Sequence, residues 1–106
     1  MKVLLDECLP LDLRHAFPGN DVHTAQWAGL KSLKNGELLG AAESAGYDVL
    51  LTVDQGLAYQ QNLAGRRNAI VSIRSRTNQI EDLLPMVGRI MDTLKTITPG
   101  QVGYLE

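Results

Sequence analysis

The chain is poor in cysteine, in histidine and in excess charge of either sign, and no long apolar run occurs in it. Cys8 is the one cysteine, which excludes an internal disulfide and a cysteine-only zinc site. Set directly behind two acids, it reads as a small buried apolar residue rather than a nucleophile. The two histidines, His15 and His23, are isolated and have no zinc spacing. His15 reads as helix surface, and His23 as a structural residue on a short strand. Lys and Arg number 10 against 12 Asp and Glu, for a net charge of −2, so the fold has no overall cationic surface. Contact with nucleic acid then needs a local basic patch or bound metal ions. No apolar stretch reaches membrane-spanning length, and the N-terminal run is too short, and ends too soon in acids, for a signal peptide. The expectation is a cytoplasmic protein with no membrane partner.

What is present reads as one α/β domain over residues 1–106, with 44% apolar and 21% charged residues and no linker, repeat or low-complexity segment. Lys2–Val3–Leu4–Leu5 is an unalternating apolar run, the pattern of a strand buried on both faces, and it ends in Asp6–Glu7. Pro10 suits the first turn of a short helix over 10–17, with Leu9, Leu13 and Phe17 at helical spacing. Pro18–Gly19–Asn20 stops it. Asp21–Ala25 reads as a second short strand, Trp27–Ser32 as irregular. Asn35–Gly36–Glu37 opens a helix through Ala45, with Leu38, Leu39, Ala42 and Ala45 buried and Gly46 in the C′ position. Asp48–Asp54 is a second strong strand ending in acid. Gln55–Asn62 reads as a turn and short helix packed through Leu57 and Tyr59, and Gly65–Asn68 as a loop. Ala69–Ile73 is a third buried strand and emerges into Arg74–Ser75–Arg76–Thr77–Asn78. Ile80, Leu83, Leu84, Val87, Ile90, Met91, Leu94 and Ile97 keep one apolar face, which predicts a single long helix packed on the sheet. Pro99–Gly100 ends it, and Gln101–Leu105 reads as an edge strand. Trp27, Tyr59 and Tyr104 read either as exposed interface aromatics or, by default, as core or half-buried packing. Strands alternating with helices imply a parallel sheet.

In such a sheet the carboxyl ends of the strands share one edge, where ligands bind. Asp6 and Asp54 stand there, and Glu37, in the first turn of a crossover helix, is expected at the same edge. Asp6 alone could also be read as a cap on the next helix. Carboxylates held together repel, and a hard divalent cation such as Mg²⁺ or Mn²⁺ resolves this through oxygen ligands while keeping waters for hydrolysis of a phosphodiester. Arg74 follows a central strand. It has two readings of equal weight: a bidentate grip on phosphate, or neutralisation of Asp54 or Asp6. Thr52, Asn78, Lys34 and Asn35 are placed near the edge, while Arg66 and Arg67 read as solvated loop.

On spacing alone, Asp6, Glu7 and Asp54 also fit a receiver-like phosphoacceptor domain. That reading needs a lysine at the end of the fifth strand, and Gln101–Glu106 has none.

Taken together, the Leu4–Leu5–Asp6–Glu7 start, Asp21–Val22 with Thr24–Ala25, Asn35–Gly36–Glu37–Leu38–Leu39, Leu51–Thr52–Val53–Asp54 and Ala69–Ile70–Val71 leading to Arg74 resemble the short PIN-like family often found beside small antitoxin-like partners. The resemblance covers nearly the full length and rests on order and spacing rather than on any single piece. It implies a PIN-like three-layer α/β sandwich, with a central, mostly parallel sheet of about four to five strands flanked by helices. It further implies a ribonuclease dependent on Mg²⁺ or Mn²⁺, cleaving RNA phosphodiesters with a metal-bound water, as the toxin of a toxin–antitoxin pair. Asp6, Glu37 and Asp54 would be catalytic residues and metal ligands, and Arg74 and Asn78 would orient the substrate phosphate. RNA and a small antitoxin protein are the implied partners, and the family makes a homodimer an expectation. This chain departs from the pattern at Gln55–Gly56–Leu57, where many relatives have a second Asp and a Phe, and at Glu37, commonly Asp. Asn78 would be a neutral stand-in for the fourth acid, and Glu81 and Asp82 lie far into the next helix. Those departures favour an alternative in which the protein is a catalytically weak PIN-like binding or regulatory module.

Overall fold

A computed structural model describes residues 1–56, 63 and 65–106. Its centre is a five-stranded sheet, β1 (Lys2–Leu5), β2 (Asp21–Thr24), β3 (Val49–Thr52), β4 (Ala69–Ile73) and β5 (Val102–Leu105), in the order β2-β1-β3-β4-β5. Every neighbouring pair is parallel. Strands β3 and β4 are buried at every position, which is why their sequences, apart from Thr52 and Ser72, are apolar rather than alternating.

The two faces of the sheet bury different helices. Val3, Leu5, Val49, Leu51, Val71 and Ile73 point to one side, onto Leu9, Leu13 and Phe17 from the segment after β1 and Leu83, Met86, Ile90 and Leu94 from the C-terminal segment. Leu4, Leu50 and Ile70 point to the other, onto Leu38, Leu39 and Ala42 of helix α1 (Asn35–Ser44). Full burial of one such leucine contributes about 1.5–3 kcal/mol. The result is an α/β fold with helices on both faces of a parallel sheet.

Several expectations change in detail. The segment after β1 is a 3-10 helix over Leu11–His15, shorter than an α-helix, although Leu9, Leu13 and Phe17 are buried as expected. Helix α1 ends where Gly46 takes φ +85°, but Ala45 is exposed. The single long C-terminal helix is three pieces: α2 (Ile80–Leu83), a 3-10 turn (Leu84–Met86) and α3 (Val87–Thr96). Pro85 is the reason, since it lacks an N–H and its ring collides with the carbonyl four residues back. The break rotates the apolar stripe, so Met86 is 6% exposed and Leu84 50%. Trp27 and Tyr104 are exposed rather than packed. The expected packing roles of Leu57 and Tyr59 lie outside the described residues.

Strand β1 has β2 on one side and β3 on the other. The chain therefore runs outward in opposite directions from the β1–β3 pair, and the crevice beyond their carboxyl ends is the switch point at which open α/β sheets bind ligands.

Candidate functional site

Asp6 follows β1 directly, and its N–H donates to the Leu51 carbonyl at 3.0 Å, extending the β1–β3 pairing by one bond. The pairing sets Leu5 beside Leu51, so the next residue of each strand meets across the ladder. The Thr52 hydroxyl donates to Asp6 Oδ2 at 2.7 Å and accepts the Asp54 N–H at 3.0 Å. One fully buried hydroxyl thus ties the two acidic strand ends together. Asp6 Oδ1 accepts the Glu7 N–H at 2.8 Å, and the Cys8 thiol approaches Oδ2 at 3.6 Å.

Asp54 lies in the turn beyond β3 rather than on the strand. It is exposed, and its Oδ1 accepts the Gly56 N–H at 3.0 Å, an Asx-type turn. Among the described residues no Lys, Arg or His lies within ion-pair distance of either Asp6 or Asp54.

Asp6, Glu7, Cys8, Lys34 and Asp54 line one pocket of about 180 Å³, with Leu33 and Leu38 as its apolar wall. Glu7 belongs to this pocket, and its Oε2 accepts the Ser32 N–H at 3.3 Å. Glu37, exposed in the first turn of α1, is outside the lining although its neighbours Lys34 and Leu38 are in it. Two of the expected carboxylates are thus brought together, and the third sits at the pocket's flank.

Arg74 and Asn78 line a second pocket, of about 200 Å³, whose wall includes Val53 and Gln55 on either side of Asp54. Arg74 pairs with Glu106 at 3.7 Å, with its side chain 72% exposed, and does not neutralise Asp6 or Asp54. Asn78 Nδ2 donates to the Cys8 carbonyl at 2.9 Å and so braces the turn that carries Asp6.

Cys8 packs against the core, and burial, followed by the nearby Asp6 charge, pushes its thiol above the ordinary range. A thiol held protonated is a poor nucleophile. His23 is half-buried between Asp21, 2.8 Å from Nε2, and the Tyr47 hydroxyl, 2.8 Å from Nδ1, a structural role as expected. His15 is exposed. The residue that sequence reasoning undervalued is Thr52. Its signal was a lone hydroxyl at the end of an otherwise apolar strand.

Among the described residues no three acidic, histidine or cysteine side chains form a ready-made metal cage. Mg²⁺ does not require one: it is commonly held by one or two carboxylates, waters and the substrate's own phosphate oxygens. Two unpaired carboxylates converging on one pocket satisfy that donor chemistry, so the residues present fit a hard divalent cation.

No family model, curated protein or solved structure matches the chain.

Proposed function

We propose that the protein is a metal-dependent ribonuclease of PIN-like type, acting at the strand-end pocket of β1 and β3. The observation that carries this reading is the convergence of Asp6 and Asp54, both without a cationic partner, at the switch point of a parallel sheet. Asp6 and Asp54 would hold Mg²⁺ or Mn²⁺, with Glu37 at the flank. Such an ion, held by those carboxylates, would supply charge stabilisation on the phosphoryl oxygens and a lowered pKa for water. Thr52 keeps the Asp6 carboxylate oriented, Asn78 braces the turn behind it, and Arg74 stands on the adjoining pocket, from which its guanidinium can reach a neighbouring phosphate. The resemblance extends the reading to the toxin of a toxin–antitoxin pair with a small antitoxin partner.

The test is RNA decay by the purified chain with Mn²⁺. Wild type cleaves, and Asp54→Asn does not. Equal decay for both would remove the catalytic reading. A melting temperature that rises with Mn²⁺ in wild type but not in Asp6→Asn would locate the ion, because a ligand held only by the native state stabilises it.

Two other readings each have one observation in their favour. Glu37 standing outside the pocket lining favours the catalytically weak binding module, and failure of the carboxylate-dependent decay selects it. The strand order β2-β1-β3-β4-β5 is one that receiver domains share. Strand β5 nevertheless contains no lysine to meet an aspartyl phosphate, and acylphosphate treatment that leaves Asp54 unmodified disposes of that reading.

A further inference from the structure

A concavity larger than the strand-end pocket lies elsewhere on the molecule. It is a groove of about 550 Å³ on the β2 side, with Arg14, His15, His23, Gln26 and Trp27 in its wall. Trp27 is held there by its backbone: its N–H donates to the Thr24 hydroxyl at 3.1 Å, and the Ala28 N–H donates to the Thr24 carbonyl at 3.0 Å. That turn presents the indole outward, 71% exposed. Behind it stands His23, with ring centroids 4.1 Å apart and planes 34° from parallel. The imidazole is itself fixed by Asp21 and Tyr47. A ring this exposed with one side against a braced imidazole leaves its other face open. The chain has one tryptophan, and it sits on the surface.

Shared lining residues link the groove to the strand-end pocket. A third concavity, of about 380 Å³, shares Leu11, Thr24 and Gln26 with the tryptophan groove, shares Asp6 and Glu7 with the carboxylate pocket, and adds Lys31 between them. The path thus runs from an open aromatic face, past Lys31, to Asp6, Asp54 and Lys34. Lys31 and Lys34 are exposed, and no ion pair engages either among the described residues. An aromatic platform beside a backbone-tracking row of cations is the arrangement that binds single-stranded nucleic acid without sequence readout. Lys31 and Lys34 are the cations of this path, and Asp6, Glu7 and Asp54 at its end leave the backbone contact there to a bound metal ion.

We propose that Trp27, backed by His23, is a stacking subsite for an unpaired base of the RNA strand whose phosphodiester reaches Asp6 and Asp54, with Lys31 and Lys34 tracking the intervening phosphates. This rests on the ribonuclease reading above for the identity of the strand, but stacking is measurable without cleavage. Binding is followed by Trp27 fluorescence in EDTA, with a short single-stranded RNA and an abasic oligonucleotide of equal length as probes. The RNA quenches the emission to saturation, and the abasic strand binds about tenfold more weakly. Trp27→Ala, followed by anisotropy of labelled RNA, weakens binding by about tenfold, while Trp27→Phe retains most of it. Because the side chain is exposed, both variants are expected to fold, and circular dichroism confirms it.

Absent quenching, or equal affinity for wild type and Trp27→Ala, overturns the subsite even where Asp54-dependent RNA decay stands. Emission that responds to protein concentration alone and not to RNA overturns it in favour of a protein interface. Quenching with no Asp54-dependent decay sustains the subsite and refutes the nuclease.

Discussion

The two ends of the central strands carry the same kinds of residue and do opposite things. At the amino end, Asp48 accepts the Lys2 N–H at 2.8 Å, the Lys2 ammonium donates to the Ala45 carbonyl at 2.7 Å, and that ammonium lies 4.5 Å from the centre of the Tyr47 ring. There a backbone N–H takes up the acid, and a carbonyl and a ring take up the ammonium. At the carboxyl end, Asp6 and Asp54 receive hydrogen bonds from a hydroxyl, a thiol and backbone N–H groups, with no cation in ion-pair range among the described residues. Hydrogen bonds orient a carboxylate without cancelling its charge. What separates the ends is convergence: Asp48 stands alone against a backbone N–H, whereas Asp6 and Asp54 share one pocket.

The largest expected effect breaks that comparison directly. Asp54→Asn should lower RNA decay by about a thousandfold, since transition-state charge stabilisation by a bound cation is worth several kcal/mol. Asp48→Asn, the same substitution at the other end, should leave decay unchanged. It should cost about 1 kcal/mol in urea unfolding, from one hydrogen bond at an exposed side chain. Comparable losses of activity in the two variants would show that the ends are not functionally distinct.

Next in size is Thr52→Val, which keeps shape and burial but removes the hydroxyl that joins Asp6 to the Asp54 backbone. Losing a group that orients a ligand weakens metal binding by about 10–100-fold. Thr52→Ser should restore most of it. If Thr52→Val binds Mn²⁺ as wild type does, the hydroxyl serves stability alone. Glu37→Gln sharpens the same point. Because Glu37 flanks the pocket rather than lining it, its removal should reduce decay about tenfold, well short of the loss at Asp54.

How much of this could be read from the chain follows from the reach of each interaction. Strands β1, β3 and β4 were legible because burial on both faces makes their residues apolar without alternation. Helix α1 was legible because a glycine able to adopt positive φ stops it at Gly46. The placement of Asp6 and Asp54 on one edge followed from parallel connectivity. The sequence did not reveal register, and register decides that Thr52 meets Asp6. The period of the apolar stripe from Ile80 to Ile97 concealed Pro85, whose missing N–H outweighs the pattern. For Trp27 the chain leaves exposure and packing both open, and the Thr24 turn that holds it outward decides between them. Arg74 was expected near Asp6 or Asp54 by position, but β5 brings Glu106 to it instead.

The smallest expected effect concerns the amino end and is a matter of pH. Burial, reinforced by the Asp21 charge, holds the Tyr47 phenol above its ordinary range. The folded chain therefore keeps this proton at a pH where the unfolded chain has released it. Below about pH 10 the contribution is fully present; it falls away as pH rises through the folded value, because the native state then binds more protons than the unfolded one. Urea unfolding should show wild type losing stability more steeply above pH 10 than Tyr47→Phe. Asp21→Asn, which removes the lesser of the two causes, should make the loss only slightly smaller. The carboxyl end offers the control: Asp54→Asn leaves Tyr47 and Asp21 in place, so its alkaline profile should follow wild type. An alkaline slope that changed with Asp54 instead of Tyr47 would mean that the two ends of the sheet titrate as one unit, and the separation drawn between them would fail.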